Sequence, residues 1–271
     1  MVQISQDDFV ESIARAFQYI SCYHPPDFIR YLSAAHEREE SPAARNALAQ
    51  ILVNSRMCAL GHRPLCQDTG MAHVFVKLGI GAKINTEKSL QELVDAGVRQ
   101  AYLSDTNPLR ASMVAEPLGA RKNSGDNTPA IVHVEVVAGE GLSIDVSAKG
   151  GGSENKARFA VLNPSDSISD WVVETVPTLG AGWCPPGILG IGVGGSAEKA
   201  MALAKQSLNE PLDMVELAAR GPQTRIEELR LEIFERVNAL GIGAQGVGGV
   251  TTVLDVRINS FPTHAASLPV A

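Results

Sequence analysis

Cys66 and Cys184 each stand in a loop whose other residues could do chemistry beside a thiol. The first lies in Arg63-Pro64-Leu65-Cys66-Gln67-Asp68-Thr69-Gly70 and the second in Gly182-Trp183-Cys184-Pro185-Pro186-Gly187. A thiolate next to an amide and a carboxylate, with glycine allowing close backbone approach, suits a soft metal ligand beside a proton-handling group. A core cysteine needs only apolar neighbours. The local pattern also admits a buried cysteine beside a polar turn. Cys22, beside Tyr23 near a helix end, and Cys58, on the back of a helix, read as core thiols, and no C-x-x-C spacing connects any pair. A site shared by Cys66 and Cys184 therefore has to be assembled by the fold.

Three glycine-rich segments accompany them. Lys149-Gly150-Gly151-Gly152-Ser153-Glu154-Asn155-Lys156 follows an expected strand and lets backbone N–H groups approach a small anion such as a carboxylate, or forms a plain bulge. It lacks the order of a Walker phosphate loop. Gly190-Ile191-Gly192-Val193-Gly194-Gly195 matches G-x-G-x-x-G, but no acidic residue at a following strand end lies where a ribose contact belongs, so close helix-on-sheet packing is the stronger reading. Gly241-Ile242-Gly243-Ala244-Gln245-Gly246-Val247-Gly248-Gly249 is too glycine-rich for a regular element and too apolar for a linker, and is expected to be a buried turn. His264, in Pro262-Thr263-His264-Ala265-Ala266-Ser267, is a proton carrier, a substrate contact or a structural histidine; the other five histidines share no spacing.

The elements that must hold these loops follow from apolar periodicity. Phe9, Val10, Ile13, Phe17 and Ile20 recur on one helix face after Ser5-x-x-Asp8, and a second long helix opens at Ser41-Pro42 and runs to about Gly61. Val74-Phe75-Val76 reads as strand, and 86–103 as helix. Residues 131–137 and 142–146 flank Gly139-Glu140-Gly141 in the manner of a β-hairpin. Helices are expected at 165–176, 196–208 and 224–240, with strands at 188–193 and 252–258. The result is α+β, a helical N-terminal region with mixed, largely antiparallel sheets, because strict βα alternation is missing.

Composition narrows the class. Apolar residues at 45% and charged residues at 20% fit an ordinary globular chain, and 271 residues suffice for one large unit or two lobes. A net charge of −7 with scattered Lys and Arg offers no basic stripe for nucleic acid. The acidic N-terminus and the lack of a long apolar run argue against a signal peptide or membrane span, and four irregularly placed cysteines argue against a disulfide framework. A cytoplasmic protein with reduced thiols is expected.

From about Asn54 to Ala271 the chain resembles the α subunit, or the N-terminal half of the fused form, of the iron–sulfur class of fumarate hydratases and the related L-tartrate dehydratases. The resemblance is carried by Cys66-Gln67-Asp68-Thr69-Gly70, 149–156, Ala181-Gly182-Trp183-Cys184-Pro185-Pro186, Gly241-Ile242-Gly243-Ala244-Gln245 and 262–267 in that order. It implies a single α-subunit-type domain over 1–271, helical to about 61 and cluster-binding from about 62.

The resemblance further implies a [4Fe-4S] cluster on three cysteines whose open iron acts as a Lewis acid toward a dicarboxylate, fumarate or malate. Cys66 and Cys184 would be ligands, Gln67 and Asp68 would lie beside the substrate, and Arg110 would pair with a substrate carboxylate. Gly151 and Gly152 would donate backbone N–H groups to another oxygen, and His264 would lie at the active site, coupled to Asp68. The Gly152–Lys156 and Thr263–Ser267 segments look more like fumarase than tartrate dehydratase. The family's third cysteine would follow the Ser267–Ala271 stretch by a few residues, and neither Cys22 nor Cys58 matches its setting, so the resemblance implies either a truncated sequence, the favoured expectation, or an incomplete site that holds no normal cluster. The resemblance also implies a β subunit carrying the rest of the active site, a higher oligomer, and no activity from this chain alone.

Overall fold

A computed structural model describes residues 2–271. In chain order the elements are β1 (Val2–Ser5), α1 (Gln6–Cys22), α2 (Pro26–Arg38), α3 (Pro42–Gly61), β2 (Met71–Gly79), β3 (Ala82–Asn85), α4 (Leu90–Tyr102), β4 (Ile131–Val137), β5 (Leu142–Lys149) and the short α5 (Gly151–Glu154). There follow β6 (Ala160–Leu162), α6 (Ile168–Thr178), β7 (Gly187–Gly194), α7 (Ala197–Ser207), α8 (Met214–Arg220), α9 (Arg225–Ala239), β8 (Val253–Phe261) and β9 (Leu268–Val270). The chain divides into two compact units, one of residues up to His24 with Asn54–Gly151, the other of Pro25–Val53 with Gly152–Ala271.

In the first unit, Ser5 caps α1 by accepting the Asp8 N–H at 3.0 Å, and Asp7 and Asp8 complement the helix dipole. The apolar stripe expected from the sequence, Phe9, Ile13 and Phe17, is buried with Leu93, Val94 and Val98 of α4. Phe17 is wholly buried, worth roughly 1.5–3 kcal/mol against leaving it in water. Gly97 permits the crossing of the two helices, since a Cβ there would sit 2.6 Å from Ile13 Cβ. Helix α4 starts later than its periodicity suggests, at a Ser89/Glu92 capping box.

The helices cover a sheet of order β4-β2-β5. The α+β class with mixed sheets holds, but the hairpin does not form: β2 lies between β4 and β5, parallel to the first and antiparallel to the second. The reason is β2 itself, buried from Ala72 to Val76, which needs a hydrogen-bonded neighbour on both edges. The glycines of 139–141 do turn the chain, but around the end of β2: Gly79 N–H donates to Gly141 O at 2.8 Å and Gly81 N–H to Gly139 O at 2.9 Å. Antiparallel pairing is correspondingly less dominant than a hairpin would have made it. Strand β1, missed in the sequence because it is four residues long, pairs in parallel with β3.

The second unit holds a sheet of order β6-β9-β7-β8, with β7 and β8 parallel and β9 antiparallel to its neighbours. Helix α7 lies on β7 and β8 so closely that a Cβ on Gly192 would fall 1.9 Å from Ala200 O and one on Gly190 2.3 Å from Ala204 O. That is the packing reading of the G-x-G-x-x-G match; both glycines are inside a strand and their faces are filled by helix backbone, which leaves no room for a pyrophosphate. Helix α2, which carries no clear sequence break from α1 beyond Pro25-Pro26, adds Tyr31 and Leu32 to the core. No helix among the described residues is long and apolar enough to cross a membrane.

Candidate active site

The loop 63–70 leaves α3 and is pinned along its length. Leu65 N–H donates to Ser21 O at 2.8 Å, and Asn54 Nδ2 donates to Leu65 O at 3.0 Å. Farther along, the Thr69 hydroxyl donates to Arg110 O at 2.7 Å, Tyr102 Oη donates to Thr69 O at 2.8 Å, and Asn127 Nδ2 donates to Gly70 O at 2.9 Å. Gly70, at φ +77°, passes so close to β5 that a Cβ would lie 2.8 Å from the Ala148 carbonyl carbon. Between these fixed ends the chain presents Cys66, exposed, with its Sγ 3.4 Å from Gln67 Oε1.

Asp68 is held by backbone. Its Oδ2 accepts the Gly151 N–H at 2.6 Å and its Oδ1 the Gly70 N–H at 3.1 Å. These two bonds, one to each oxygen, fix the plane of the carboxyl group. The Gly151 N–H, expected to face a substrate oxygen, is bonded to Asp68 in this structure. Arg110 has an exposed side chain while its backbone is tied to Thr69. Gln18 reinforces that approach, donating to Ala101 O at 2.6 Å and Asn107 O at 2.9 Å.

Tyr102 and Asn127 were not singled out in the sequence. Burial pushes the Tyr102 hydroxyl up to about 12, against the hydrogen bond to Thr69 and together with the nearby Asp68 charge, so it remains a donor at neutral pH. Asn127 is fully buried at φ +63°, and its Oδ1 accepts Ser112 N–H at 2.8 Å and Met113 N–H at 3.3 Å. The signal available was weak: Asn tolerates the left-handed region, and it stands in the turn-forming run Ser124-Gly125-Asp126-Asn127.

In the second unit, the Cys184 thiol is exposed and its backbone is left-handed, φ +59°, closing a turn by donating to Ala181 O at 3.0 Å. Gly152 abuts this loop, since its Cβ would meet Gly182 O at 2.6 Å, and Lys156 lies along Gly182. Glu154 is tied to Lys205 of α7 at 2.5 Å. His264 is exposed on the β8–β9 connection; its Nδ1 accepts the Ala266 N–H at 3.1 Å, which puts the proton of the neutral ring on Nε2. The turn at 241–249 is only partly buried: Gly243 and Ala244 are inside, but Gln245, Gly246 and Val247 are exposed.

The site residues thus divide by unit. Cys66, Gln67, Asp68, Arg110 and Gly151 belong to the first, and Gly152, Cys184 and His264 to the second. Among the described residues no group of three or more His, Cys, Asp or Glu gathers to hold a metal ion. The donor chemistry nevertheless separates the cysteines. Cys22 is buried, accepts from Asn107 Nδ2 at 3.4 Å, and has its thiol pushed up by burial, while buried Cys58 donates to Pro64 O at 3.4 Å. Cys66 and Cys184 are the exposed pair and fit thiolate ligands of a cluster.

This arrangement is that of a two-unit α+β protein with exposed thiols on pinned glycine-rich loops. The chain belongs to the fumarate hydratase (Fumerase) family, whose model matches residues 10–271. It is 29% identical over 272 residues to the L(+)-tartrate dehydratase subunit alpha of Escherichia coli O157:H7, covering 99% of this chain and 88% of that protein. A protein of Methanocaldococcus jannaschii to which the same name is given provisionally is 35% identical over 266 residues, covering 95% of this chain and 90% of its own length.

Proposed function

We propose that this chain is the α subunit of an iron–sulfur hydro-lyase that interconverts a 2-hydroxy dicarboxylate and its unsaturated product by loss or addition of water. The observation that carries the reading is the Asp68 carboxylate, fixed by the Gly151 and Gly70 N–H groups one residue beyond Gln67 and two beyond an exposed thiol. A carboxylate so held is aimed without rearrangement, as proton handling requires.

Cys66 and Cys184 would hold the [4Fe-4S] cluster, which when bound supplies a Lewis acid for the departing hydroxide. The remaining work falls to this chain. Arg110, on a tethered backbone with an exposed planar fork, binds one carboxylate of the substrate. The Gln67 carboxamide orients the substrate's polar end, Gly152 offers a backbone donor, and Asp68 with His264 exchanges protons with the substrate hydroxyl and water. A β subunit completes the site; the Escherichia coli relative is itself named as a subunit alpha. A higher oligomer, a cytoplasmic location and inactivity of the chain alone belong to the same reading.

Malate and fumarate are the substrate pair favoured by the Gly152–Lys156 and Thr263–Ser267 segments. The names of the relatives favour a second reading, L-tartrate. Anaerobic co-purification with the β partner, cluster reconstitution, and parallel assays of malate and tartrate dehydration test both. Turnover of malate at the higher kcat/KM supports the first, preference for tartrate replaces it with the second, and failure to dehydrate either removes the hydro-lyase reading.

A further inference from the structure

Cys184 and Gln245 are both left-handed, at φ +59° and +54°. Neither is glycine, and such residues persist only where their surroundings hold them, often at sites with a task. Between them stands the Pro185 carbonyl oxygen, which accepts the Gln245 backbone N–H at 2.6 Å and the Gln245 Nε2–H at 3.0 Å. On the other side of the cysteine, the Cys184 N–H is bonded to Ala181 O, and Ala181 lies against Gly246, where a Cβ would come within 2.6 Å of the alanine methyl. Consecutive residues of one turn, Gln245 and Gly246, therefore hold the cysteine loop on both sides.

That turn is anchored from behind. Gly243 N–H donates to Thr252 Oγ1 at 3.1 Å and Gly248 N–H to Ile242 O at 2.9 Å. Glu39, at the end of α2 and only 3% exposed, accepts the Val250 N–H on both carboxylate oxygens at 3.2 Å, together with the Glu40 and Ser41 N–H groups at 3.0 Å. A Cβ on Gly249 would lie 2.6 Å from Glu39 Oε1. A buried carboxylate satisfied by backbone donors makes a rigid seat for the loop that rests on it.

We infer that Gln245 is a positioning residue for the Cys184 thiolate, seated by Glu39. The purpose of the device rests on reading Cys184 as a cluster ligand; the geometry does not. With the carboxamide donor gone, Pro185 O keeps only the backbone bond, Cys184 can leave its left-handed conformation, and the thiol turns from its present direction.

The test uses the full chain without cluster, kept reduced, and iodoacetamide as the probe, with labelling of Cys184 and Cys66 followed separately by mass spectrometry. Gln245→Glu keeps size and backbone but removes the donor; Gln245→Gly removes the side chain and relieves the left-handed conformation. In both, the Cys184 rate is expected to change about fivefold or more while Cys66 stays within about twofold, the scale of one net hydrogen bond. An unchanged Cys184 rate in either variant, or a rate that moves in step with Cys66, overturns the inference. Iron content of Cys184→Ser after reconstitution with the β partner is the separate check on the ligand reading. Full retention of iron would remove that reading and leave the alkylation result standing.

Discussion

Asp68 and Gly151 are joined by a 2.6 Å hydrogen bond, the backbone N–H that opens α5 donating to the carboxylate. The bond couples the cysteine loop to the glycine loop within one unit, so the orientation of Asp68 depends on where β5 ends. Asp68→Asn keeps the size of the side chain but replaces one of the two accepting oxygens with an amide donor, so one backbone bond and the proton-accepting oxygen are lost. Turnover by the assembled enzyme should fall by about 10²–10⁴-fold, the range for removing a positioned acid–base group. Steady-state dehydration assays with a melting curve as control check this; near-normal turnover would remove Asp68 from the chemistry.

The two classes of cysteine should separate on substitution. Cys66→Ser and Cys184→Ser remove exposed thiols and should abolish or deplete the bound iron while leaving the melting temperature of the chain nearly unchanged. Cys22→Ala opens a gap in packed surroundings and should cost about 1 kcal/mol, with iron binding intact. Iron analysis, visible absorbance and thermal denaturation of the three variants supply the comparison. Full iron in both serine variants is the contrary result.

Tyr102 ties the cysteine loop to α4 through bonds to Thr69 O and Gly70 O. Tyr102→Phe should destabilise the first unit by about 1–3 kcal/mol by leaving buried carbonyl capacity unmet. Urea unfolding measures the loss. A second expected effect is a lower kcat/KM, because Thr69, which Tyr102 anchors, supports both the Asp68 loop and the Arg110 backbone.

Asp126 governs an acid limb. Burial works to raise it but is outweighed by hydrogen bonds from the Thr128 hydroxyl and N–H and by the Arg99 guanidinium, which bring it down from 3.8 to about 2. A carboxylate with a depressed folded-state pKa contributes stability above its unfolded pKa and loses it as pH falls through the folded one. The wild type should therefore lose this contribution between about pH 4 and pH 2, and Asp126→Asn should melt lower at neutral pH with a shallower acid limb. Thermal melts across that range check the sign; identical acid limbs in the two proteins would contradict it.

Local chemistry was legible in the amino-acid sequence. Ser5 and Thr224 start their helices by accepting the N–H three residues on, and the stripe of Phe9, Ile13 and Phe17 finds the core, because caps and periodicity depend on residues a few positions apart. The residue types of the candidate site were legible too: thiols beside an amide, a carboxylate and glycines. What the tertiary structure decided were relations over long separations. Residues 131–137 and 142–149 pair with β2 and not with each other, because a buried strand demands partners on both edges and local turn propensity is too weak to prevail. The Gly151 N–H meets Asp68 across the fold, and the Pro185 carbonyl meets Gln245. No periodicity encodes such bonds, since they form only after apolar burial has brought distant backbones within reach.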